Sequence, residues 1–355
     1  MKPTASTKAP NPRVSTTHQT PDPTEVLVVL PALNEVDHIE ACVISLMRGN
    51  SWVSGCQIIV ADGGSTDGTQ LLVQRLTQTY PNLMLIENPG RLQSAGVNAA
   101  VARFAQPRHK YLIRCDVHAI YPVDYIKTLA DEIHQVGAAS VVTAMDATGY
   151  AGFQMAAAWI VDTPLGSGGS AHRGASKAHF VDHGHHAAFD LDWFRRIGGY
   201  DPSISHNEDA EYDLRLVQAG GTIWLTNRTR IAYVMRSTVQ DLWQQYWNYG
   251  RGRANTLAKH AVMPRMRQIV PVANTVLLAV SFVALPVSPL AMFWPALYLT
   301  LLVAVSAAAV ISLRRVGGLW AGPALGAMHL SWGLGFMQRM IKRPGGMRSR
   351  RVQNG

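Results

Sequence analysis

A carboxylate and an imidazole, separated by one residue, follow a short apolar run of the sequence. The run covers residues 111–113, and Asp116 and His118 come shortly after it. In an extended segment alternate side chains point to the same side, and ligands of open α/β sheets bind at the carboxyl ends of strands. We therefore expect both side chains in one cleft, where they would hold a divalent cation together with substrate phosphates. The alternative is an aspartate that only caps the next turn.

A glycine-rich loop with two aspartates, residues 62–69, is a second candidate site. Its glycines allow a ligand close to the backbone, and the helix start that follows favours anions. Asp62 could accept a hydrogen bond from a base N–H or a ribose hydroxyl. The loop lacks both the lysine of a Walker loop and the glycine spacing of the dinucleotide fingerprint, which excludes those two classes of site. A tight βα turn would explain the glycines but not the two aspartates.

Acidic side chains cluster again further along the chain, at Glu208, Asp209, Glu211 and Asp213. One of these carboxylates, buried in a cleft, could serve as a general base. The alternative is the acidic first turn of a helix, which the helix dipole favours.

Three arginines could bind phosphate. Arg91 stands before a predicted helix, where a guanidinium could meet a phosphate or a base edge, or could simply be solvated. Arg251 and Arg253 lie in an aromatic segment, residues 244–253, and could clamp a pyrophosphate at a membrane boundary. That segment could instead be an interfacial helix with an aromatic belt and snorkelling arginines.

Three histidines, His183, His185 and His186, follow Asp182. A zinc site would need a third or fourth well-spaced ligand, and none is evident. Asp182, His185 and His186 are more consistent with an acceptor pocket or with local packing.

Regular elements must position these groups. Apolar, often β-branched runs predict strands at residues 25–30, 57–61, 83–86, 111–114 and 140–144. Helical periodicity lies between them, at residues 39–46, 68–78, 93–104 and 123–136. Strand and helix alternate for roughly 120 residues, which predicts a mainly parallel sheet with helices on both faces. The alternation stops near the glycine-rich residues 166–169, which we expect to form a flexible loop.

Charge is divided unevenly along the 355 residues. Residues 1–241 carry 19 Lys and Arg and all 23 Asp and Glu, whereas residues 242–355 carry 13 Lys and Arg and no acid. These basic residues flank apolar runs, a pattern that fits the anionic cytoplasmic face of a membrane better than nucleic acid. Three cysteines without metal-ligand spacing argue against a disulfide framework and are compatible with a reducing compartment.

Two long runs without charge, residues 269–285 and 290–313, are each near the length that crosses a hydrocarbon core. Two buried helices of a soluble domain are the alternative. A third run, residues 319–337, could span, re-enter or lie in the interface. Arginines before the first run and after the second place both flanks, and the large domain, in the cytoplasm. We therefore expect a disordered segment 1–24, an α/β domain 25–240, an interfacial region 241–268, transmembrane helices within 269–341 and a basic tail 342–355.

Taken together, these features resemble glycosyltransferase family 2, the inverting enzymes of GT-A fold. Six motifs follow the order of that family, at residues 31–35, 62–68, Arg91 with Ala95 and Asn98, 116–118, 198–201 and 208–209. The C-terminal region resembles that of the membrane-associated, succinoglycan-type exopolysaccharide glucosyltransferases of bacteria. The resemblance implies a Rossmann-like GT-A domain followed by a transmembrane helical region.

The resemblance also assigns roles to particular residues. It implies that Asp209, next to Glu208, is the catalytic base, and that Asp116 and His118 hold Mg²⁺ or Mn²⁺. It implies that the nucleotide sugar is bound by Pro31, Asn34, Glu35, Asp62, Arg91, Asp116, Arg251 and Arg253. His118 stands where the family has a second aspartate, and Arg251 and Arg253 replace the Gln-x-x-Arg-Trp element of the processive synthases.

The resulting hypothesis is a membrane-anchored, inverting glycosyltransferase of the cytoplasmic membrane. It would move a hexose from a UDP- or GDP-sugar to a lipid-linked or polysaccharide acceptor in cell-surface polysaccharide assembly. Two alternatives are an anchored transferase that acts on a soluble or protein acceptor, and a non-catalytic membrane scaffold that binds nucleotide sugars.

Overall fold

The computed structural model describes residues 20–171, 173, 177–185 and 187–342. The chain forms two compact units. One holds the residues up to Tyr150 together with Ala158–Met235, and the other holds Ala151–Ala157 and the residues from Arg236 onward. Most of the predicted disordered segment 1–24, and all but Lys342 of the predicted basic tail, lie outside the described residues.

Eight strands form one sheet in the first unit. They are β1 (Val26–Ala32), β2 (Gln57–Asp62), β3 (Leu83–Glu87), β4 (Tyr111–Arg114), β5 (Ser140–Thr148), β6 (His179–Val181), β7 (Ala187–Asp190) and β8 (Ile223–Val234). Their order across the sheet is β3-β2-β1-β4-β7-β5-β8-β6. β1 pairs in parallel with β2 and β4, as do β2 with β3 and β5 with β8, whereas β6 and β7 are antiparallel to their neighbours. The sheet is therefore mainly parallel, as predicted.

Helices connect the strands. They are α1 (Ile39–Met47), α2 (Thr69–Thr79), α3 (Gln93–Phe104), α4 (Tyr125–Val136), α5 (Gly152–Val161), α6 (Pro164–Ser167), α7 (Leu191–Arg196) and α8 (Glu208–Gln218). Of these, α2 begins just after the glycine-rich loop and α8 begins at the acidic cluster. The starts of α2 and α8 therefore each carry one of the predicted sites.

Both faces of the sheet are buried. In β1, Val28 and Leu30 belong to one apolar cluster, and Leu27 and Val29 belong to a second one. Because alternate residues of a strand point to opposite faces, a strand buried along its whole length needs a helical layer on each side. The continuous apolar run at this strand thus encodes the layered α/β architecture that the sequence predicted.

Three strands were not predicted from the sequence. β7 has four residues and lies antiparallel between β4 and β5, so its pairing rather than its local pattern defines it. In β8, the exposed Asn227 and Arg228 interrupt the apolar pattern next to a register shift.

The prediction of a flexible loop at residues 166–169 is wrong in part, because Gly166 and Ser167 belong to helix α6.

Four long helices make up most of the second unit. They are α9 (Val239–His260), α10 (Met266–Ala284), α11 (Phe293–Leu313) and α12 (Ala321–Ile341). The glycines of α12 and α9 allow their backbones to approach closely. A Cβ on Gly250 of α9 would collide with the carbonyl of Trp332, and a Cβ on Gly335 of α12 would collide with the carbonyl of Trp247.

Among the described residues of this unit, two helices are long and apolar enough to cross a membrane, α10 and the stretch Pro289–Leu313 that includes α11. Their large apolar side chains are mostly exposed, for example Val283 at 79%, Leu290 at 82% and Ile311 at 77%. Helix α12 contains most of the third apolar run and is largely buried within its own unit.

Candidate active site

The buried guanidinium of Arg114, at the end of β4, lies at the centre of the candidate site. Its side chain is 3% exposed. Nη1 donates to Asp209 Oδ1 at 2.6 Å, and Nη2 lies 3.2 Å from Asp116 Oδ1 and 3.1 Å from Glu208 Oε1. A buried charge without partners is strongly unfavourable, so these ion pairs hold the end of β4 against the start of α8. Asp116 and the acid pair Glu208–Asp209 therefore share one cleft.

Two neutral side chains complete the contacts of Arg114. Gln93, the first residue of α3, accepts from Nη2 at 2.6 Å, and the Tyr200 hydroxyl accepts from Nη1 at 3.3 Å. The same hydroxyl donates to Asp209 Oδ1 at 3.0 Å. The Asn98 side chain bonds the backbone N–H and the carbonyl of Tyr200, at 3.0 and 2.7 Å. The motifs at Asn98 and at residues 198–201 thus support the position of Asp209.

The environment of the cluster shifts the pKa values of the acid pair Glu208–Asp209 in opposite directions. Burial raises the pKa of Glu208 to about 7, although Arg114 acts against this shift. Burial also raises the pKa of Asp209, but Arg114 and then His185 outweigh it, so the net shift is downward. Neighbouring carboxyl groups with pKa values pushed apart are typical of acid–base sites. Asp209 therefore loses its proton at a lower pH than Glu208 does.

Asp116 and His118 have different surroundings. Asp116 is buried beside Arg114, whereas the side chain of His118 is 47% exposed, with its Nδ1 3.7 Å from Glu35 Oε1. Among the described residues no group of three His, Cys, Asp or Glu side chains could hold a metal. One carboxylate and one accessible imidazole fit a cation that takes one or two protein ligands and completes its shell with substrate phosphates.

Hydrogen bonds join the loops that follow β1 and β2. Asn34, which has a φ of 56°, accepts from Thr66 N–H at 2.9 Å and donates through its own N–H to Ser65 Oγ at 2.8 Å. The backbone N–H of Glu35 donates to Thr69 Oγ1 at 2.8 Å. The carboxyl ends of adjacent parallel strands form the ligand-binding edge of such sheets. The structure therefore brings Asn34 and Glu35 to the glycine-rich loop.

The Asp62 side chain shapes that loop. Its Oδ2 accepts from the N–H groups of Gly64 and Ser65, at 2.9 and 3.0 Å, and from the Gln70 amide at 2.5 Å. Burial raises the pKa of Asp62, but the hydrogen bonds from Ser65, Gln70 and Gly64 lower it overall. The Asp62 carboxylate thus makes its hydrogen bonds to its own loop and to the start of α2. A contact between Asp62 and a ligand stays a prediction.

Pro31 and Arg91 lie at the same edge of the sheet. Pro31 is a buried residue of β1 that pairs with Ala61 of β2. Arg91 is exposed, has a φ of 60°, and follows β3 in a turn whose backbone lies against Gly63. The side chain of Arg91 is therefore accessible beside the glycine-rich loop.

Two histidines lie against α8. His183 Nδ1 is 2.7 Å from Asp213 Oδ2, which also accepts from the N–H of Gly184 at 3.1 Å. His185 Nε2 is 3.5 Å from Asp209 Oδ2. The loop before β7 is thus tied to α8, and His185 lies beside the candidate base.

Four further residues were predicted to belong to the site, two in the loop before β7 and two in the second unit. Asp182 is exposed in the bend before the two histidines, and His186 lies outside the described residues. Arg251, which is exposed, and Arg253, which is partly buried, lie on α9 of the second unit. That either arginine binds the donor stays a prediction.

Sequence reasoning assigned no role to Arg114, Gln93 or Tyr200, although Tyr200 lies within the motif at residues 198–201. The position of Arg114 was one available signal, because a positively charged side chain at the end of a buried apolar strand needs a negatively charged partner. The identity of that anion was not accessible from the sequence, since Arg114 and Asp209 are 95 positions apart.

Comparison with known proteins identifies the family. Residues 27–198 match the model of Glycosyl transferase family 2. The chain is 40% identical over 318 residues to the succinoglycan biosynthesis protein ExoA of Rhizobium meliloti (strain 1021), covering 90% of this chain and 96% of that protein. It is 21% identical over 245 residues, 66% of this chain and 74% of the relative, to the dolichyl N-acetyl-alpha-D-glucosaminyl phosphate 3-beta-D-2,3-diacetamido-2,3-dideoxy-beta-D-glucuronosyltransferase of Methanococcus voltae.

A solved structure shows the same fold. The mannosyltransferase PcManGT of Pyrobaculum calidifontis, in complex with GDP-Man and Mn²⁺, has a TM-score of 0.59 and 17% identity, over 91% of this chain and 90% of that chain. The predicted fold class is confirmed by this similarity and by the mainly parallel sheet. On these grounds the chain belongs to glycosyltransferase family 2 and is a glycosyltransferase of GT-A fold.

Proposed function

We propose that this protein is a membrane-anchored, inverting glycosyltransferase that moves a hexose from a nucleoside-diphosphate sugar to a lipid-linked or polysaccharide acceptor. The proposal is carried by the Arg114 cluster, in which Asp116 and Asp209 contact the same guanidinium. The similarity to ExoA, named for succinoglycan biosynthesis, supports polysaccharide assembly as the process.

The donor would bind at the carboxyl ends of β1, β2 and β4. The loops that carry Pro31, Asn34, Glu35 and Asp62 would hold the nucleoside, and the exposed Arg91 could reach a phosphate. The GDP-Man and Mn²⁺ bound to PcManGT support a nucleotide-sugar donor and a divalent cation. Mg²⁺ or Mn²⁺ held by Asp116 and His118 would stabilise the negative charge of the departing diphosphate.

Asp209 would act as the general base. It accepts the proton of the acceptor hydroxyl, whose oxygen attacks the anomeric carbon opposite the departing diphosphate. Its lowered pKa keeps it ionised, and the hydroxyl of Tyr200 and the guanidinium of Arg114 hold it in place. A single displacement inverts the anomeric configuration and passes through an oxocarbenium-like transition state without a covalent intermediate. The loop of Asp182, His185 and His186 would line the path of the acceptor.

The second unit would anchor the enzyme in the membrane. The exposed apolar side chains of α10 and α11 would face lipid, where they would be removed from water. Arg265 and Arg267 at the start of α10, and Arg314 and Arg315 after α11, favour a cytoplasmic position for both flanks. Helix α9, with its aromatic residues and Arg251, would lie at the interface between lipid and water.

Transfer into extracted lipid tests the proposed function. Membranes that contain the full chain are incubated with radiolabelled UDP- and GDP-hexoses, and the lipid fraction is counted. We expect label in the lipid with one donor, and a loss on the order of 100-fold or more in Asp209→Asn. Asp192→Asn, which changes an exposed carboxylate of α7, is the matched control and should keep full activity. Absence of label with every donor, or full activity in Asp209→Asn, would contradict the proposal.

A further inference from the structure

We propose that Arg114 is a positioning residue that couples cation binding at Asp116 to the acid pair of α8. Its role in catalysis rests on the proposed function, whereas the coupling itself follows from the contacts of the guanidinium. None of the sequence motifs includes this arginine, yet it contacts Asp116, Glu208 and Asp209 together.

The terminal nitrogen Nη2 of Arg114 has more acceptors than hydrogens. It carries two N–H bonds. Three oxygens lie within hydrogen-bond distance of it, Gln93 Oε1 at 2.6 Å, Glu208 Oε1 at 3.1 Å and Asp116 Oδ1 at 3.2 Å. The bond to Gln93 is much the shortest and takes one hydrogen, so Glu208 and Asp116 compete for the other.

The second terminal nitrogen, Nη1, has no such excess. Its two N–H bonds face two acceptors, Asp209 Oδ1 at 2.6 Å and the Tyr200 hydroxyl at 3.3 Å. Asp209 is therefore held firmly whichever acid receives the shared hydrogen. The competition acts on Glu208 and Asp116, and Asp209 is oriented by the same rigid group.

A consequence for cation binding follows from this competition. Whatever binds Asp116 draws its carboxylate away from Nη2, which releases the shared hydrogen to Glu208. In the other direction, the positive charge of Arg114 opposes a second cation at Asp116, and in a buried site this repulsion is weakly screened. Removing Arg114 should therefore tighten cation binding and at the same time leave Asp209 without its main partner. A side chain that only filled the core would not produce effects of opposite sign.

Mn²⁺ binding to the solubilised full chain tests the coupling. The affinity is measured by electron paramagnetic resonance at pH 8, with and without UDP or GDP, and the rate of transfer is measured in parallel. In Arg114→Gln we expect Mn²⁺ to bind on the order of tenfold more tightly, while kcat falls on the order of 100-fold. In Glu208→Gln we expect weaker Mn²⁺ binding, because a neutral amide oxygen competes less well than a carboxylate and Asp116 keeps more of the shared hydrogen.

The double variant measures how much of the effect of Glu208→Gln on Mn²⁺ binding depends on Arg114. If the coupling runs through this guanidinium, Glu208→Gln weakens Mn²⁺ binding in the wild-type background and much less in the Arg114→Gln background. An equal effect of Glu208→Gln in both backgrounds would overturn the inference, as would weaker Mn²⁺ binding in Arg114→Gln. Absence of Mn²⁺ binding by the wild type, with and without nucleotide, would also overturn it.

Two further variants serve as controls, one for misfolding and one for the loss of a paired arginine elsewhere. Arg114→Lys keeps the charge without the planar fork, so we expect nearly normal Mn²⁺ affinity, a lower kcat and a smaller effect of Glu208→Gln. If Arg114→Gln fails to fold, the same cycle is scored in the Arg114→Lys background. Arg228→Gln removes another arginine paired with a buried glutamate, Glu132 at 3.1 Å, and should leave Mn²⁺ affinity unchanged. If the wild type transfers no sugar but shows the coupling, the proposed function fails and this inference stands.

Discussion

Arg114 Nη1 lies 2.6 Å from Asp209 Oδ1, although the two residues are 95 positions apart in the sequence. The contact joins the end of a central strand to the first turn of α8, and so places the acidic helix start at the edge of the sheet where β4 ends. Because Arg114 also contacts Asp116, the carboxylate of the Asp-x-His motif and the candidate base have fixed relative positions. Different variants of the two acids should therefore separate donor binding from the chemical step.

Asp209→Asn should lower kcat while leaving donor binding nearly intact. The substitution keeps the size of the side chain and a hydrogen-bond acceptor for Arg114 and Tyr200, but it removes the base. We expect a loss in kcat on the order of 100-fold to 10,000-fold. Asp116→Asn should instead raise the cation concentration needed for half-maximal activity. Calorimetric binding of the nucleotide with and without Mn²⁺, combined with kcat and KM, distinguishes these outcomes. Equal losses of donor affinity in the two variants would contradict this division of roles.

Glu208 makes the stability of the first unit depend on pH. Burial raises its pKa in the folded state from an ordinary value of 4.5 to about 7. Between these values the folded state binds the proton more tightly than the unfolded state, so this residue makes stability fall as pH rises through that range. Glu208→Gln removes the effect, because its side chain is neutral throughout.

The thermal midpoint of Glu208→Gln, relative to that of the wild type, should therefore rise between pH 5 and pH 8. Unfolding is followed by circular dichroism in detergent at both pH values. Glu40→Gln, at an exposed position of α1, is the control and should show no comparable change. If the thermal midpoints of Glu208→Gln and the wild type differ by the same amount at both pH values, this would argue against a raised pKa of Glu208.

Gly199 supports Tyr200, and through it Asp209. Gly198 and Gly199 have φ values of 82° and 66°, so a side chain at either position is strained by about 1–2 kcal/mol. A Cβ on Gly199 would in addition lie 2.5 Å from Asn98 Oδ1, whereas a Cβ on Gly198 would meet nothing within 4 Å. Gly199→Ala should therefore cost about 1–3 kcal/mol more than Gly198→Ala. It should also reduce kcat, because the Asn98 bonds that hold Tyr200 are displaced. Denaturant unfolding and transfer assays test both, and equal behaviour of the two variants would refute the collision.

The sequence was informative where one local pattern determines one structure. The buried run of β1, the glycine-rich loop and the two long apolar helices all follow from residues that are neighbours in the chain. The contacts that assemble the site do not. Arg114 meets Asp209 and Glu208 only because β4 and α8 pack together, and β7 is a strand only because β4 and β5 pair with it. Such long-range pairings leave no periodic signal. The motifs therefore predicted the acidic groups of the site but not the arginine, Arg114, that links them.

His118 should influence the choice of metal. We expect it to be a ligand of the cation, and an imidazole suits Mn²⁺ better than it suits Mg²⁺, which prefers oxygen ligands. His118→Asp should therefore raise activity with Mg²⁺ relative to activity with Mn²⁺. Titration of metal-depleted enzyme with each cation gives the ratio of the two activities. His38→Asp, a nearby exposed histidine that also contacts Glu35, is the control. An unchanged ratio in His118→Asp would show that this imidazole is not a ligand.

Close packing between α9 and α12 can be tested with two single-methyl substitutions in the second unit. Alanine is favoured over glycine inside a helix by about 1 kcal/mol, so Gly→Ala is stabilising wherever the methyl group has room. At Gly326 of α12 the nearest atom to an added Cβ is Leu302 Cδ1 at 3.3 Å, the far end of a side chain that can rotate away, and we expect no loss of stability. At Gly250 of α9 the Cβ would collide with the backbone carbonyl of Trp332, which cannot move without shifting α12. Gly250→Ala should therefore be destabilising by about 1–3 kcal/mol despite the gain in helix propensity. Thermal unfolding in detergent gives both values, and a Gly250→Ala variant as stable as Gly326→Ala would show that the two backbones do not approach this closely.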